Sequence, residues 1–188
     1  MSDTTKPQRG RPSPMMFVSL GIGTMIALAL IVVVSILTGG TPQSSNALVG
    51  STVKGFYVSG LNGVKYRAPW ATGHAGVLIF FASWCGPCHS EMPKVATYLR
   101  NHDESPVVVM GVDANDIRSA AQAFVRKDGV RFPVIFDPSG NVTTGIFQFG
   151  QIPETVFVTA RGVVTKVYYG AIPTKQLISG IKELKAAA

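Results

Sequence analysis

The chain carries two cysteines, Cys85 and Cys88, and both lie in one six-residue stretch, WCGPCH at 84–89. That confinement limits the fold more than any other feature. A four-cysteine zinc site and a scaffold stapled by several disulfides are both excluded, so a chain of 188 residues must depend on an apolar core. The stretch follows VLIFF at 77–81, a short apolar run of the kind buried in the middle of a sheet. It precedes Met92, Val95, Ala96 and Leu99, which recur at helical spacing. Two chemistries use such a stretch. C-x-x-C-H is the covalent attachment signature of a c-type haem, and W-C-x-x-C is a dithiol that moves between thiol and disulfide states.

The flanking pattern alternates strand and helix. A helix is expected over 87–100, with Pro87 tolerated in its first turn and Pro93 kinking it deeper in. A second buried strand follows at 107–112 (VVVMGV), then a helix at 117–127 stopped by Gly129. Strands joined in this way imply a parallel pair with a crossover helix. Next come a short strand at 132–136, a turn at 137–140 (DPSG) and a short helix at 142–147. A hairpin of 154–159 and 163–169 and a helix at 174–184 close the chain. Upstream, 55–59 and 64–67 flank the turn-rich GLNG and read as another hairpin. The sum is an α/β domain with a central mixed sheet and helices on both faces.

Residues 15–37, MMFVSLGIGTMIALALIVVVSIL, form an uncharged apolar run long enough to cross a bilayer as one transmembrane helix. Lys6, Arg9 and Arg11 precede it against a lone Asp3, which holds the N-terminus in the cytoplasm and sends the remainder across. A cleaved signal peptide has a shorter apolar region followed closely by a cleavage site, so a retained anchor is the expectation. The organisation expected is a cytoplasmic tail at 1–14, an anchor at 15–37, a tether at 38–47 and one domain at 48–188. The protein is thus expected in the cell membrane as a single-pass protein with its catalytic part extracytoplasmic. The formal charge of +7 is scattered without a basic run or aromatic stripe, which argues against nucleic-acid binding.

A redox dithiol needs one thiol acidic enough to attack and a second within reach to resolve the mixed disulfide. Cys85 stands where a strand gives way to a helix, facing unpaired backbone N–H groups and the positive end of the helix dipole, which makes it the nucleophile. Cys88, one turn further in, is the resolving thiol. Glu91 lies three residues beyond Cys88 on the same side of the helix, where it either exchanges a proton with Cys88 or stands as a solvated charge favoured by the dipole. Trp84 either shields the dithiol and contacts substrate or packs.

The pattern Trp84-Cys85-x-Pro87-Cys88-x-x-Glu91-x-Pro93 resembles the membrane-anchored thioredoxin-like proteins of the TlpA, ResA and DsbE (CcmG) group. The runs Phe132-Pro133-Val134, Asp137-Pro138-x-Gly140, Ile152-Pro153-Glu154-Thr155-x-Phe157 and Tyr169-Gly170 are similar to the DsbE branch. This resemblance implies a thioredoxin-like fold, thiol-disulfide exchange outside the cytoplasm, and reduction of apocytochrome c cysteines before haem is attached. It also implies that Pro153 is cis and faces the dithiol, with Trp84, Pro87, Ile152 and Pro153 meeting the substrate. An ordinary trans loop proline is the other reading of Pro153. Cytosolic thioredoxins carry a buried acid at the position of Ile79, so in this chain proton management falls to Glu91. The Gly86-Pro87 pair favours a reductant, which needs a membrane electron donor because nothing in the chain supplies electrons.

Fold context separates the two chemistries, since the strand, dithiol helix and downstream Ile152-Pro153 have no reason to occur together in a haem protein. Zinc would need His74, His89 or His102 to join the thiols, and these show no ligand spacing. No cofactor or metal is expected. Two other functions stay open: an oxidising or isomerising enzyme acting on exported proteins, and a non-enzymatic module that binds haem or a maturation partner.

Overall fold

The computed structural model describes residues 47–187. The expected tail, anchor and nearly all of the tether lie outside them. Among the described residues no helix is long and apolar enough to cross a membrane.

The strands are β1 (Tyr57–Ser59), β2 (Lys65–Arg67), β3 (Gly76–Phe81), β4 (Val108–Ala114), β5 (Val134–Asp137), β6 (Glu154–Val158) and β7 (Val164–Tyr169). The α-helices are α1 (Gly86–Asn101), α2 (Arg118–Lys127) and α3 (Thr174–Ala186). β1 and β2 pair antiparallel as a small separate sheet. The main sheet has five strands in the order β5-β4-β3-β6-β7. β3, β4 and β5 are parallel, while β6 and β7 run against them, so the sheet is mixed.

All six residues of β3 are buried, which explains its unbroken apolar run. Alternate residues serve opposite faces. Val77, Ile79 and Phe81 join one core cluster with Cys88, Met92 and Val95 of α1, Phe124 of α2, and Leu177 and Ile181 of α3. Leu78 and Phe80 join the other with Val53, Phe56, Val142 and Phe147. The α-helix contributions therefore fall on one face, which corrects the expectation of helices on both. The physical reason is chain direction: successive right-handed crossovers from β3 to β4 to β5 step the same way and leave both connecting helices on the same side. α3 returns to that side too. Its Gly180 sits so close to the sheet that a Cβ there would collide with the Phe157 ring.

The opposite face is covered by the N-terminal segment, a 3-10 turn at Pro69–Thr72, and residues 141–147. The expected helix at 142–147 is a run of turns. Ile146 N–H donates to Val142 O as in an α-helix, but Phe147 N–H reaches the same oxygen and Phe149 N–H reaches Thr143 O. Asp137 anchors the run by accepting from Val142 N–H, Thr143 N–H and the Thr143 hydroxyl. Helix α1 continues through Pro93 to Asn101.

Candidate active site

β3 ends at Phe81 and the chain turns at Ala82, whose carbonyl accepts from Cys85 N–H at 3.2 Å. Cys85 is the N-cap of α1, with extended backbone angles. Its Sγ accepts from Cys88 N–H at 3.2 Å, so the sulfur occupies the place where a capping oxygen would satisfy a free helix N–H. That is the physical basis for an acidic thiol: negative charge on this atom meets the positive end of the helix. Cys85 and Cys88 are joined by a disulfide with Cα atoms 5.3 Å apart. Cys88 is wholly buried and Cys85 is 4% exposed, less open than expected of an attacking thiol, while Gly86 and Pro87 beside it are exposed.

Glu91 is buried at 2% exposure, which rules out its reading as a solvated helix charge. One carboxyl oxygen accepts from Ile172 N–H at 3.0 Å, and the other has no partner. Burial pushes this carboxyl up to about 7, against the smaller lowering effect of the Ile172 bond. Such a group sits near the midpoint of its titration at neutral pH, where it can both accept and return a proton.

Residues from distant elements close around the dithiol. The Ile152–Pro153 bond is cis. Pro153 is buried directly before β6, and Glu154 at the start of β6 pairs with Phe80 on β3, which brings the cis bond to the dithiol end of the sheet. Ile152 is half-buried. Trp84 is 63% exposed, so it is not a packing residue, and its indole N–H donates to Asn115 O at 3.2 Å. His89 takes a bond between Nε2 and Ser83 O at 2.9 Å and packs edge-on against Phe124. His74 and His102 lie apart from the dithiol; His102 stacks on Tyr98 beyond the far end of α1.

Four participants were not singled out from the sequence. Asp116 accepts from Ser83 N–H at 2.5 Å, the Ser83 hydroxyl at 2.9 Å and Ile117 N–H at 2.6 Å, clamping the Cys85 loop to the loop after β4. Asp113, on β4, and Glu154 are buried acids whose oxygens lack hydrogen-bond partners. Burial pushes Glu154 up to about 7, against a smaller lowering influence of the nearby Gly150 backbone. The fourth is the Ile172 N–H. A signal existed for two: an acid inside the apolar run VVVMGVDA, and an acid opening the apolar run ETVFV.

The comparisons with known proteins agree with this geometry. The model of the AhpC/TSA family matches residues 49–167. The thiol-disulfide oxidoreductase ResA of Halalkalibacterium halodurans is 28% identical over 163 residues, 84% of this chain and 92% of that protein. ResA of Bacillus subtilis is 27% identical, over 65% of this chain and 68% of its own. Among solved structures, MTB DsbF in its mixed oxidised and reduced forms superposes with a TM-score of 0.62 at 31% identity, covering 69% of this chain and 94% of that one. StoA from Bacillus subtilis, at 21% identity and a TM-score of 0.61, shares the fold. The sheet order, the capped dithiol and these relatives converge, and the chain belongs to the AhpC/TSA family as a thiol-disulfide oxidoreductase of thioredoxin-like fold.

Proposed function

We propose that this protein is a membrane-anchored, extracytoplasmic reductant of protein disulfides, with the haem-site cysteines of apocytochrome c as its substrate. The observation that carries the exchange chemistry is Glu91, buried one helical turn beyond Cys88 with one oxygen unpartnered, and the Gly86-Pro87 pair favours the reducing direction. In the reduced protein the Cys85 thiolate attacks one sulfur of the substrate disulfide, forming a mixed disulfide and releasing the other sulfur as a thiol. Cys88 then loses its proton to Glu91 and attacks Cys85 Sγ, which expels the second substrate sulfur as a thiolate and leaves the Cys85–Cys88 disulfide; the proton returns to that thiolate through Glu91 or solvent. Two electrons have passed to the substrate, and a membrane thiol donor must return them. Trp84, Pro87, Ile152 and Pro153 border the dithiol and form the surface on which the substrate chain lies.

Two things support the apocytochrome substrate: the likeness of residues 132–140 and 152–157 to the DsbE branch, and the apolar run at 15–37 that would hold the domain near a membrane donor. The test is a Cys88→Ser variant expressed at its natural level, whose mixed disulfides cannot resolve. Recovery of apocytochromes through their C-x-x-C-H cysteines is the expected result. A broad set of exported proteins would replace this substrate, and an equilibrium with glutathione that leaves the pair as thiols would make the protein an oxidant.

A further inference from the structure

Asp113 is among the buried acids that the mechanism above does not use. Asp113 is fully buried near the end of β4, in register with Phe81 of β3, four residues before Cys85. It lies on the helix-covered side, since β4 alternates and Met110 and Val112 serve the other face. Directly beyond it Asp116 makes the three bonds that hold Ser83 and Ile117. The indole of Trp84, between Ser83 and Cys85, is tied to the same loop through Asn115 O. The loop that delivers the nucleophile is therefore fastened by one carboxylate, and that carboxylate has a second, buried carboxyl beside it.

We propose that Asp113 is a positioning residue: a proton on its carboxyl makes it a donor to Asp116, and this keeps Asp116 in place as the clamp on the Ser83–Cys85 loop. Neither Asp113 oxygen has a hydrogen-bond partner, and two ionised carboxylates offer each other only acceptors. Protonation of Asp113 resolves that conflict, and it is the form burial favours. Asp113 is pushed up to about 8, first by burial, then by the neighbouring Asp116 carboxylate, with Arg118 opposing and Asp137 adding slightly. The charged neighbours are these three: Asp116 on the following loop, Arg118 in the first turn of α2 and Asp137 on β5. From β3 the neighbour is uncharged Phe81, and His89 of α1 meets Phe124, which stacks on Phe81. Arg118 is only a partial counter-charge, because its guanidinium lies over the Phe136 ring at 4.1 Å and donates to Gly60 O. Ionising Asp113 sets a fully buried charge beside the partly exposed charge of Asp116, and the cheapest relief is for Asp116 to turn toward solvent and release Ser83.

This inference rests on the disulfide-exchange activity of the family and is independent of which substrate is reduced. The test uses the full-length protein with Trp70→Phe, leaving Trp84 as the sole tryptophan. In the disulfide form neither cysteine titrates, so Trp84 emission reports the loop alone. A step with its midpoint near pH 8 is expected, and it should vanish in both Asp113→Asn and Asp116→Asn. Asn keeps an N–H donor toward Asp116 but cannot ionise, so the ratio of the Asp113→Asn rate to the wild-type rate should rise about fivefold between pH 6.5 and 9.5. No step in the parent protein, or a step that survives Asp113→Asn, overturns the proposal. So does a rate ratio that stays flat with pH, which is the signature of a purely structural role.

Discussion

The two ends of the main sheet treat their acids in opposite ways. At the dithiol end, Glu91, Asp113 and Glu154 are buried with at least one oxygen unpartnered, and all three are pushed up to between about 7 and about 8. At the other end, Glu104 lies on the connection into β4, in a salt bridge with Lys185 at 2.7 Å and hydrogen-bonded to the Tyr98 hydroxyl. Burial works to raise Glu104, but the bonds from Lys185 and Tyr98 and the charges of Lys185 and His102 together pull it lower. Desolvation acts at both ends, so partners decide the outcome. An acid with a cation is fixed as a charge and serves the fold; one without keeps its proton within reach of neutral pH and can serve chemistry.

The largest effect should come from the sulfur at the helix cap. Cys85→Ser should lower disulfide turnover at least about a thousandfold, because a hydroxyl at this pH supplies no anion. Glutathione-coupled reduction of a peptide disulfide measures it, and residual turnover above that level would move the nucleophile to Cys88. Next, Glu91→Gln should slow resolution of the mixed disulfide by roughly 10² at neutral pH, within the usual range of general acid–base catalysis. Rapid-quench trapping of the mixed disulfide reads this step directly. An unchanged resolution rate would make Glu91 a structural acid and erase the contrast between the two ends.

The same contrast has a stability signature. A carboxyl raised in the folded state binds its proton more tightly there than in the unfolded chain, so the stability it contributes is complete below its unfolded value and is lost as pH rises through the folded one. For Glu91 that window runs from about 4.5 to about 7. Glu91→Gln should therefore gain on the wild type as pH rises across it, by on the order of 2–3 kcal/mol at pH 8. Urea unfolding of the disulfide form at pH 5 and pH 8 gives the difference, and a gap that does not widen with pH would refute the assignment.

The order of strands and helices could be read from periodicity because each main-sheet element buries a dense apolar pattern: VLIFF became β3 and the Met92, Val95 spacing became the inner face of α1. The dithiol was legible for the same reason, since both cysteines stand in a local stretch whose geometry the strand-to-helix turn fixes. What failed was whatever depended on distant partners. Residues 142–147 carry a helical apolar spacing, yet the Asp137 carboxylate holds Val142 and Thr143 at one end and the wide bond from Phe149 N–H to Thr143 O opens the run into turns at the other. Glu91 is raised by a burial that distant segments supply and is held by an N–H 81 residues away, and Asp116 clamps a hydroxyl 33 residues away. No local pattern announces either. Asp113 was within reach, had the strand been continued past Val112 and the cost of an acid inside it counted.

The smallest effect belongs to the far end, and its sign is what matters. Lys185→Met removes the cation from Glu104 and keeps the aliphatic stem, so packing is largely retained. The pair is partly exposed, with side-chain exposures of 32% for Lys185 and 11% for Glu104, and solvent screening holds the cost to about 1 kcal/mol at neutral pH. Glu104 is lowered in the folded state, so the stability it contributes is present above its unfolded value of 4.5 and is lost as pH falls through the folded one. Lys185→Met should thus fall behind the wild type at pH 7 and rejoin it in acid, while Glu91→Gln overtakes the wild type as pH rises. Turnover of Lys185→Met should stay within about twofold of wild type, because the pair lies at the opposite end of the sheet from the sulfur. If Lys185→Met instead changed the pH profile of turnover, the acids of the two ends would form one coupled system, and pairing would no longer separate structural from chemical carboxyls.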